Sequence, residues 1–250
     1  MSTIAVPRIH VPCDKCPLRG QTALRDFSPD ELEFIGSFKS GELTATAGTS
    51  LLVQGASSPH LYTVLTGWAF RYKTLADGRR QILNFALPAD FLGLQASLGD
   101  EMQHSVEALT DMVLCVFQRE HLWGLYARHP TLAFDLTWLA AREEQMLDEN
   151  LLSVGRRSAL ERSAFLLVHL FARAEQVGLT RSSTLRLPLT QQHVADALGM
   201  SLVHTNKTLK RLSATKAMRW KDRTLEILDL DALMRIAGYQ TPEQRRRPFI

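Results

Sequence analysis

Between Phe38 and Phe117 the apolar residues of this 250-residue chain fall in short runs. The runs are SLLVQG, HLYTVLTG, WAFRYKTL, RQILNFAL, HSVEALT and DMVLCVF, rich in Val, Leu, Phe and Tyr. Gly, Asp, Ser or Pro separates most of them, which is the punctuation of strands joined by turns. The stretch ADGR at 76–79 is a hairpin signal, because Asp-Gly accepts the positive φ of a tight turn. Many short strands at this spacing predict a compact antiparallel β-roll or barrel.

The period changes at Pro130. From there to Val154, Leu132, Leu136, Leu139, Ala140, Met146, Leu147, Leu151 and Val154 recur at helical spacing on one stripe. Glu143 and Asn150 interrupt it, as polar residues that set register do in a two-helix seam. Such a helix either packs on its own domain or forms a dimer seam. Its length and acidic opposite face favour a seam with Leu136, Leu139, Glu143, Met146, Leu147 and Asn150 as contact residues. Gly155 is expected to end the helix. A second amphipathic helix follows, SALERSAFLLVHLFARAEQVG, closed by Gly178. Upstream, SPDELEFI predicts a short helix with Ser28 as N-cap and Pro29 in its first turn. The expected organisation is an irregular arm at 1–26, a roll at 27–129, the long helix at 130–154 and a C-terminal domain at 155–250.

The C-terminal part contains LTQQHVADALGMSLVHTNKTLKRL, Leu189 to Leu212. Thr190 can cap a helix whose inner face is Val194, Ala195 and Leu198, and Gly199 permits a sharp turn. Ser201 caps the next helix, which buries Thr205, Thr208, Leu209 and Leu212 at i, i+3, i+4 and i+7. This is the helix-turn-helix pattern. It turns Leu202, Val203, His204, Asn206, Lys207 and Lys210 outward. AMRW and TLEILDL, joined by KDR, form a β-hairpin wing. From Thr190 to Arg223 there are seven Lys or Arg against two acids, a local footprint for an anionic polymer. Asn pairs with adenine, Lys with guanine, and Val touches a thymine methyl. Lys210, Arg211, Lys216, Lys221 and Arg223 then meet phosphate. The competing reading is an ordinary helical hairpin with a solvated basic face; the wing and the charge favour double-stranded DNA. The tail TPEQRRRPFI is expected either to add phosphate contacts or to be disordered.

Hydrophobic residues make up 45% and charged residues 22%, a soluble globular profile. No apolar run approaches the roughly 20 residues that span a bilayer, so no membrane partner is expected. The start MSTIAVPRIHVPC has no secretory pattern. Three cysteines, Cys13, Cys16 and Cys115, are no disulfide scaffold, and a reducing cytoplasm is the expected compartment. No Ser/His/Asp set or phosphate-binding Gly loop stands out. A cupin-like metalloenzyme would need clustered His and Glu, and His60 and His104 stand far apart. An enzyme is not expected.

This order of parts resembles the Crp/Fnr family of bacterial transcription regulators. The closest local matches are LTQQHVADALGMSLVHTNKTLKRL and LADGRRQILNFALPADFLG, and the likeness spans the chain. It implies an α+β fold: an N-terminal antiparallel β-roll of the cyclic-nucleotide-binding kind, a long dimerisation helix and a C-terminal winged helix-turn-helix. It also implies a homodimer on a DNA palindrome, acting on RNA polymerase. Members with a Glu and, four residues on, an Arg on the recognition helix share a half-site; here Val203 and Lys207 stand there, so another site is expected. The Gly-Glu and Arg-Ser pairs of cyclic-AMP binders are missing, since Leu94 follows Gly93 and His104 precedes Ser105. No cyclic nucleotide is expected. CDKCPLR resembles the arm of the oxygen-sensing Fnr branch, which implies a 4Fe-4S cluster on Cys13, Cys16 and Cys115. The family's third arm cysteine has no counterpart near Thr22 or Ala23. His10, Asp14 or Asp26 are then candidates for a fourth ligand. Thiol oxidation, a haem on His60, His104, His121 or His129, a small ligand in the roll, or no ligand remain open. Cys115 alone also suits a strand core.

Overall fold

The structure is a computed structural model describing residues 11–99, 101–241 and 246–250. The chain forms two compact units. The first holds the chain up to Lys73, Phe85–Glu144 and Arg246–Ile250; the second holds Thr74–Asn84 and Gln145–Arg245.

In the first unit the short apolar runs become strands. They are β1 (Lys39–Ala45), β2 (Ser50–Leu52), β3 (His60–Thr66), β4 (Ala69–Thr74), β6 (Phe91–Leu92), β7 (Ser105–Ala108) and β8 (Met112–Gln118), while β5 (Arg80–Ala86) belongs for most of its length to the second unit. One sheet has the order β1, β8, β3, β6 and a second β2, β7, β4, β5; the pairings of β8 with β1 and β3 are antiparallel. Val64, Ala69, Val106, Met112 and Leu114 fill the roll interior. The opposite face of the first sheet is covered by α1 (Pro29–Phe38), whose Phe38 ring stacks on Phe117 at 4.9 Å. Ser28 caps α1 reciprocally with Glu31, as the sequence predicts. The 76–79 turn closes the β4–β5 hairpin with Gly78 at φ 84°. Two short helices were not expected from the sequence, α2 (Ala96–Gly99) and α3 (Leu122–Arg128).

The long helix, α4, runs Pro130–Arg156, so Gly155 does not end it. One glycine costs a helix about 1 kcal/mol, too little to break 27 residues. The stop comes at Ser158, which caps α5 (Ala159–Gln176) in a box with Glu161. The expected seam needs correction. Leu136, Leu139 and Met146 are 0%, 5% and 7% exposed, turned into their own chain. Glu143 is ion-paired with Arg71, and the Asn150 amide donates to the Leu83 carbonyl at 2.6 Å. Only Leu147 of the six is exposed; the other large apolar side chains left open on α4 are Phe134, Leu151, Leu152 and Val154. The stripe read from periodicity is therefore divided: Leu132, Leu136, Leu139 and Met146 face inward, whereas Leu147, Leu151 and Val154 are exposed, because spacing finds an apolar face but not its partner.

The second unit holds β9 (Thr180–Arg181), β10 (Thr184–Arg186), α6 (Gln191–Leu198), α7 (Leu202–Ala214), β11 (Met218–Lys221), β12 (Thr224–Ile227) and α8 (Leu230–Ala237). Their sheet has the order β11, β12, β10, β9, and α5 packs against α7 and α8. Asp229 and Gly238 bound α8, which the sequence reading missed. The C-terminal tail also departs from expectation. Arg247, Phe249 and Ile250 are buried in the first unit, so they neither reach phosphate nor hang free. Pro242–Arg245 lie outside the described residues.

Gly67, between β3 and β4, has φ 88°, and a Cβ there would lie 2.9 Å from the Met112 Cα. Gly67→Ala should destabilise the roll by at least about 1–3 kcal/mol, read as a lowered urea midpoint. A midpoint equal to the parent's would show that the turn relaxes freely.

Candidate nucleic-acid interface and cysteine face

In the second unit, polar groups place two helices at a fixed angle. The Thr190 side chain accepts from the His193 N–H at 3.2 Å, and His193 Nδ1 accepts from the Thr190 N–H at 3.1 Å. Burial, then the nearby Arg80, lowers the His193 pKa, which keeps Nδ1 free to accept. Gly199 takes the left-handed turn at φ 61°. Ser201 then caps α7 by accepting from the His204 N–H at 3.2 Å. Val194, Ala195 and Leu198 of α6 meet a buried face of Thr205, Thr208, Leu209 and Leu212 on α7. Small Ala195, 1% exposed, lets the helices cross closely.

The end of α6 is held from outside. Arg80 pairs with Asp196 at 2.9 Å, the Gln81 amide donates to the Ala197 carbonyl at 3.0 Å, and Arg162 donates to the Leu198 carbonyl at 2.9 Å. The sequence reading missed these supports because they lie 36 to 116 positions away in the chain. Arg80 also covers one of the two acids in the basic segment.

Val203 is 65% and Leu202 43% exposed, and His204, Lys207, Lys210 and Arg211 are exposed beside them. Asn206 is the exception. It is half-buried, and its Oδ1 is enclosed without a hydrogen-bond partner. It lines a groove of about 450 Å³ between α7 and the wing, together with Thr190, Lys210, Lys221 and Arg223. The wing is β11–β12, and its two-residue tip, Asp222 and Arg223, has φ of 51° and 60°. Positive φ at both positions is the turn that suits a twisted hairpin. Arg219 is bound to Glu226 across the wing, so its charge is spent locally. Lys221 and Arg223 remain exposed at the tip.

In the first unit the three cysteines are brought onto one face. Cys115 is 7% exposed and opposite both Glu42 and Thr63 in the ladder, so the three side chains share a face. That face is the one away from the roll interior, and Cys115 is buried there, as its place in the strand predicts. Cys13 begins a single 3-10 turn, and the Cys16 N–H donates to the Cys13 carbonyl at 3.3 Å. The Cys115 thiol lies within electrostatic reach of Cys13 and Cys16. Among them sits a buried ion pair: Lys39 Nζ donates to Glu42 Oε1 at 2.6 Å and to the Val11 carbonyl at 2.8 Å. Burial alone would lower the Lys39 pKa, but the bond to Glu42 outweighs it and keeps the ammonium charged. Burial pushes Cys115 up to about 12, and raises Cys13 and Cys16 as well.

The described residues do not complete a donor set for a 4Fe-4S cluster. There are three thiols, and among the described residues no three His, Cys, Asp or Glu are gathered as a metal site. Asp26 is committed to Arg19 at 2.8 Å, Asp14 is exposed, and His10 lies outside the described residues. The histidines named for haem are scattered. His104 is buried, His121 is exposed beside Glu120, His129 lies against Phe34 at 3.9 Å, and His60 sits near Tyr62. Nor does the roll offer a free cation to a cyclic phosphate at these positions. Burial, helped by Arg71 and Lys73, lowers His104 to about 4, so it is neutral, and Arg71 is paired with Glu143.

A β-roll, a long helix and a winged helix-turn-helix with a basic exposed face define a DNA-binding transcription regulator. The Cyclic nucleotide-binding domain family matches residues 42–129, and the Crp-like helix-turn-helix domain family matches residues 161–236. The nitrogen fixation regulation protein FixK of Rhizobium meliloti is 32% identical over 76% of this chain and 84% of its own. The transcriptional activator protein FnrL of Cereibacter sphaeroides is 28% identical over 95% of this chain and 96% of its own. Among solved structures, FixK2 from Bradyrhizobium japonicum superposes with a TM-score of 0.73 at 25% identity, covering 80% of this chain and 98% of that one. The chain belongs to the Crp/Fnr family and is a regulator, not an enzyme. No helix among the described residues is long and apolar enough to cross a membrane.

The raised thiols set a pH dependence. Only the thiolate reacts, so alkylation should climb with pH and its midpoint should lie above the usual value of about 8.5 for all three cysteines. Cys115 should stay almost unreactive to pH 10, since its pKa is about 12. Peptide mapping after iodoacetamide, from pH 7 to 10, reads this. A Cys115 midpoint near 8.5 would contradict its burial.

Proposed function

We propose that the chain acts in the cytoplasm as a homodimer that reads a DNA palindrome and responds to redox state through Cys13, Cys16 and Cys115. The observation that carries the DNA reading is the open face of α7 beside the wing. Val203, His204 and Lys207 point into the major groove as base readers, and Asn206 joins them only by turning out of its groove. Lys210, Arg211, Lys221 and Arg223 bind phosphate, which adds affinity without sequence choice. Val203 and Lys207 set a half-site of this chain's own. The exposed stripe of Leu147, Leu151 and Val154, with Phe134 further along, supports the dimer seam. Two half-sites then lie roughly 34 Å apart, one helical turn. Contact with RNA polymerase is carried over from the family.

The signal reading rests on the turn at Cys13–Cys16. A hydrogen-bonded turn brings its ends within about 7 Å, the reach of a disulfide. With a peroxide as oxidant, two thiols become one disulfide, and the peroxide takes both electrons and both protons to give water and an alcohol or a second water. Their raised pKa makes this slow at neutral pH, a threshold rather than a hair trigger. The relatives named FnrL and the fumarate and nitrate reduction regulatory protein support a redox signal.

Lys207→Ala should cost about 1–3 kcal/mol on the cognate site and relax one position, whereas Lys221→Ala should weaken all sequences and lower the salt slope by about 1. Anisotropy titrations on cognate and random duplexes separate the two, and equal losses on both for Lys207→Ala would remove it as a base reader. Leu151→Glu should give monomers in sedimentation through like charges on the two-fold axis; a mutant that stays dimeric places the seam elsewhere. For the signal, parent, Cys13→Ser, Cys16→Ser and Cys115→Ser are compared for DNA affinity with and without air. Equal binding in every case would leave the cysteines structural, and iron in the anaerobic parent would favour a cluster over thiol oxidation.

A further inference from the structure

Phe249 and Ile250 lie inside the first unit, 2% and 3% exposed. Four kinds of contact hold them. Arg247 is ion-paired with Asp90, both buried, and also donates to the Ala89 carbonyl at 3.0 Å. The Arg247 backbone exchanges two hydrogen bonds with the N-terminal arm: its N–H donates to the Ala23 carbonyl at 2.8 Å, and the Arg25 N–H donates to its carbonyl at 2.8 Å. The Phe249 ring lies 4.8 Å from that of Phe27. The Thr63 hydroxyl donates to the carbonyl of Ile250.

These contacts converge on the cysteine face. Thr63 stands directly opposite Cys115 in the β3–β8 ladder, so Ile250 is bonded to the cross-strand neighbour of that thiol. On the other flank of Cys115, Glu42 and Lys39 hold Val11, two residues before Cys13. The arm segment bonded to Arg247 follows Cys16 in the chain and includes Ala23, where a third arm cysteine would fall. The tail thus closes over the strand cysteine and grips the arm that carries the other two. Its anchor is a buried ion pair, which does little for stability compared with apolar packing but selects one arrangement.

We propose that Arg247–Ile250 is a latch: it shields Cys115, pins the cysteine arm, and passes the state of the cysteines to the DNA-binding unit. The connection is covalent, because the tail follows α8, whose cap Gly238 belongs to the second unit. A modification on the cysteine face that loosens the arm removes two backbone partners of Arg247 and frees the tail. By linkage, whatever displaces the tail exposes the cysteines. The shielding stands alone; the coupling rests on the redox reading above.

The test uses the full chain. Arg247→Ala, a chain ending at Pro248, Thr63→Val and the parent are treated with iodoacetamide at pH 8, and each cysteine is followed by peptide mass mapping. Gly67→Ala serves as a roll weakened with its tail in place. The latch predicts at least a tenfold faster reaction of Cys115 in Arg247→Ala and in the shortened chain, a smaller gain in Thr63→Val, and limited gain in Gly67→Ala at matched loss of stability. Unchanged rates in the tail variants, or an equal gain in Gly67→Ala, would overturn it. DNA affinity of reduced and peroxide-treated samples tests the coupling. The parent's difference should collapse in Arg247→Ala; a difference that survives there removes the tail from the signal path. A parent that shows no difference sinks the redox reading and the coupling together, while the alkylation rates still decide the shielding.

Discussion

Strand β8 lies between β1 and β3, and the alternation of its side chains divides the first unit in two. Met112 and Leu114 face the roll interior, whereas Cys115 and Phe117 face the other way. The cysteine face is placed by that alternation. Phe117 receives α1 through Phe38, and Cys115 meets Glu42 and Thr63 across the ladder. A slip of one residue in either pairing would turn Cys115 into the roll and strand Leu114 outside. The antiparallel ladder on both flanks makes such a slip costly, so the position of the thiol is as firm as the core itself.

On the face so defined, charge is buried only in pairs. Lys39 with Glu42 and Arg247 with Asp90 are both enclosed, and Arg25 bridges Glu31 and Asp135 at the base of the arm. Each pair joins segments that are irregular by themselves. Among the described residues the arm has one 3-10 turn and the tail one bridge to the arm, so no hydrogen-bond ladder locates either there. Buried pairs supply the missing specificity, because removing one partner leaves an uncompensated charge. The thiols sit among these groups, protonated by burial, in a setting where new charge or a new bond disturbs the arm and tail together.

The DNA-binding unit uses a different economy. Its geometry comes from caps and turns that satisfy helix-end groups, with Thr190, Gly199 and Ser201 in sequence. The outward face of α7 is exposed apart from half-buried Asn206. Arg80, Gln81 and Arg162 hold the end of α6. A recognition surface left free in this way can change its residues without unfolding, as Val203 and Lys207 illustrate.

Local pattern by itself determined a great deal. The strand runs, the Asp-Gly turn, the Ser28 cap, the helix-turn-helix with its buried and exposed faces, and the wing all follow from neighbours a few residues apart, and sequence records such spacing directly. The Ser158–Glu161 capping box was legible too, and would have placed the end of α4 better than Gly155 did. Tertiary structure decided the rest. Periodicity revealed an apolar stripe on α4 but not that Leu136, Leu139 and Met146 turn into their own chain. A tail with three basic residues reads as a phosphate contact or as disordered, yet Arg247 is buried against Asp90, 157 positions away. Resemblance marked Cys115 as a ligand and spacing marked it as core, but only pairing set it opposite Thr63, to which Ile250 is bonded. These outcomes depend on which surfaces meet across long separations, where the free energy lies in burial and in pairing charges, and no local spacing encodes the identity of a distant partner.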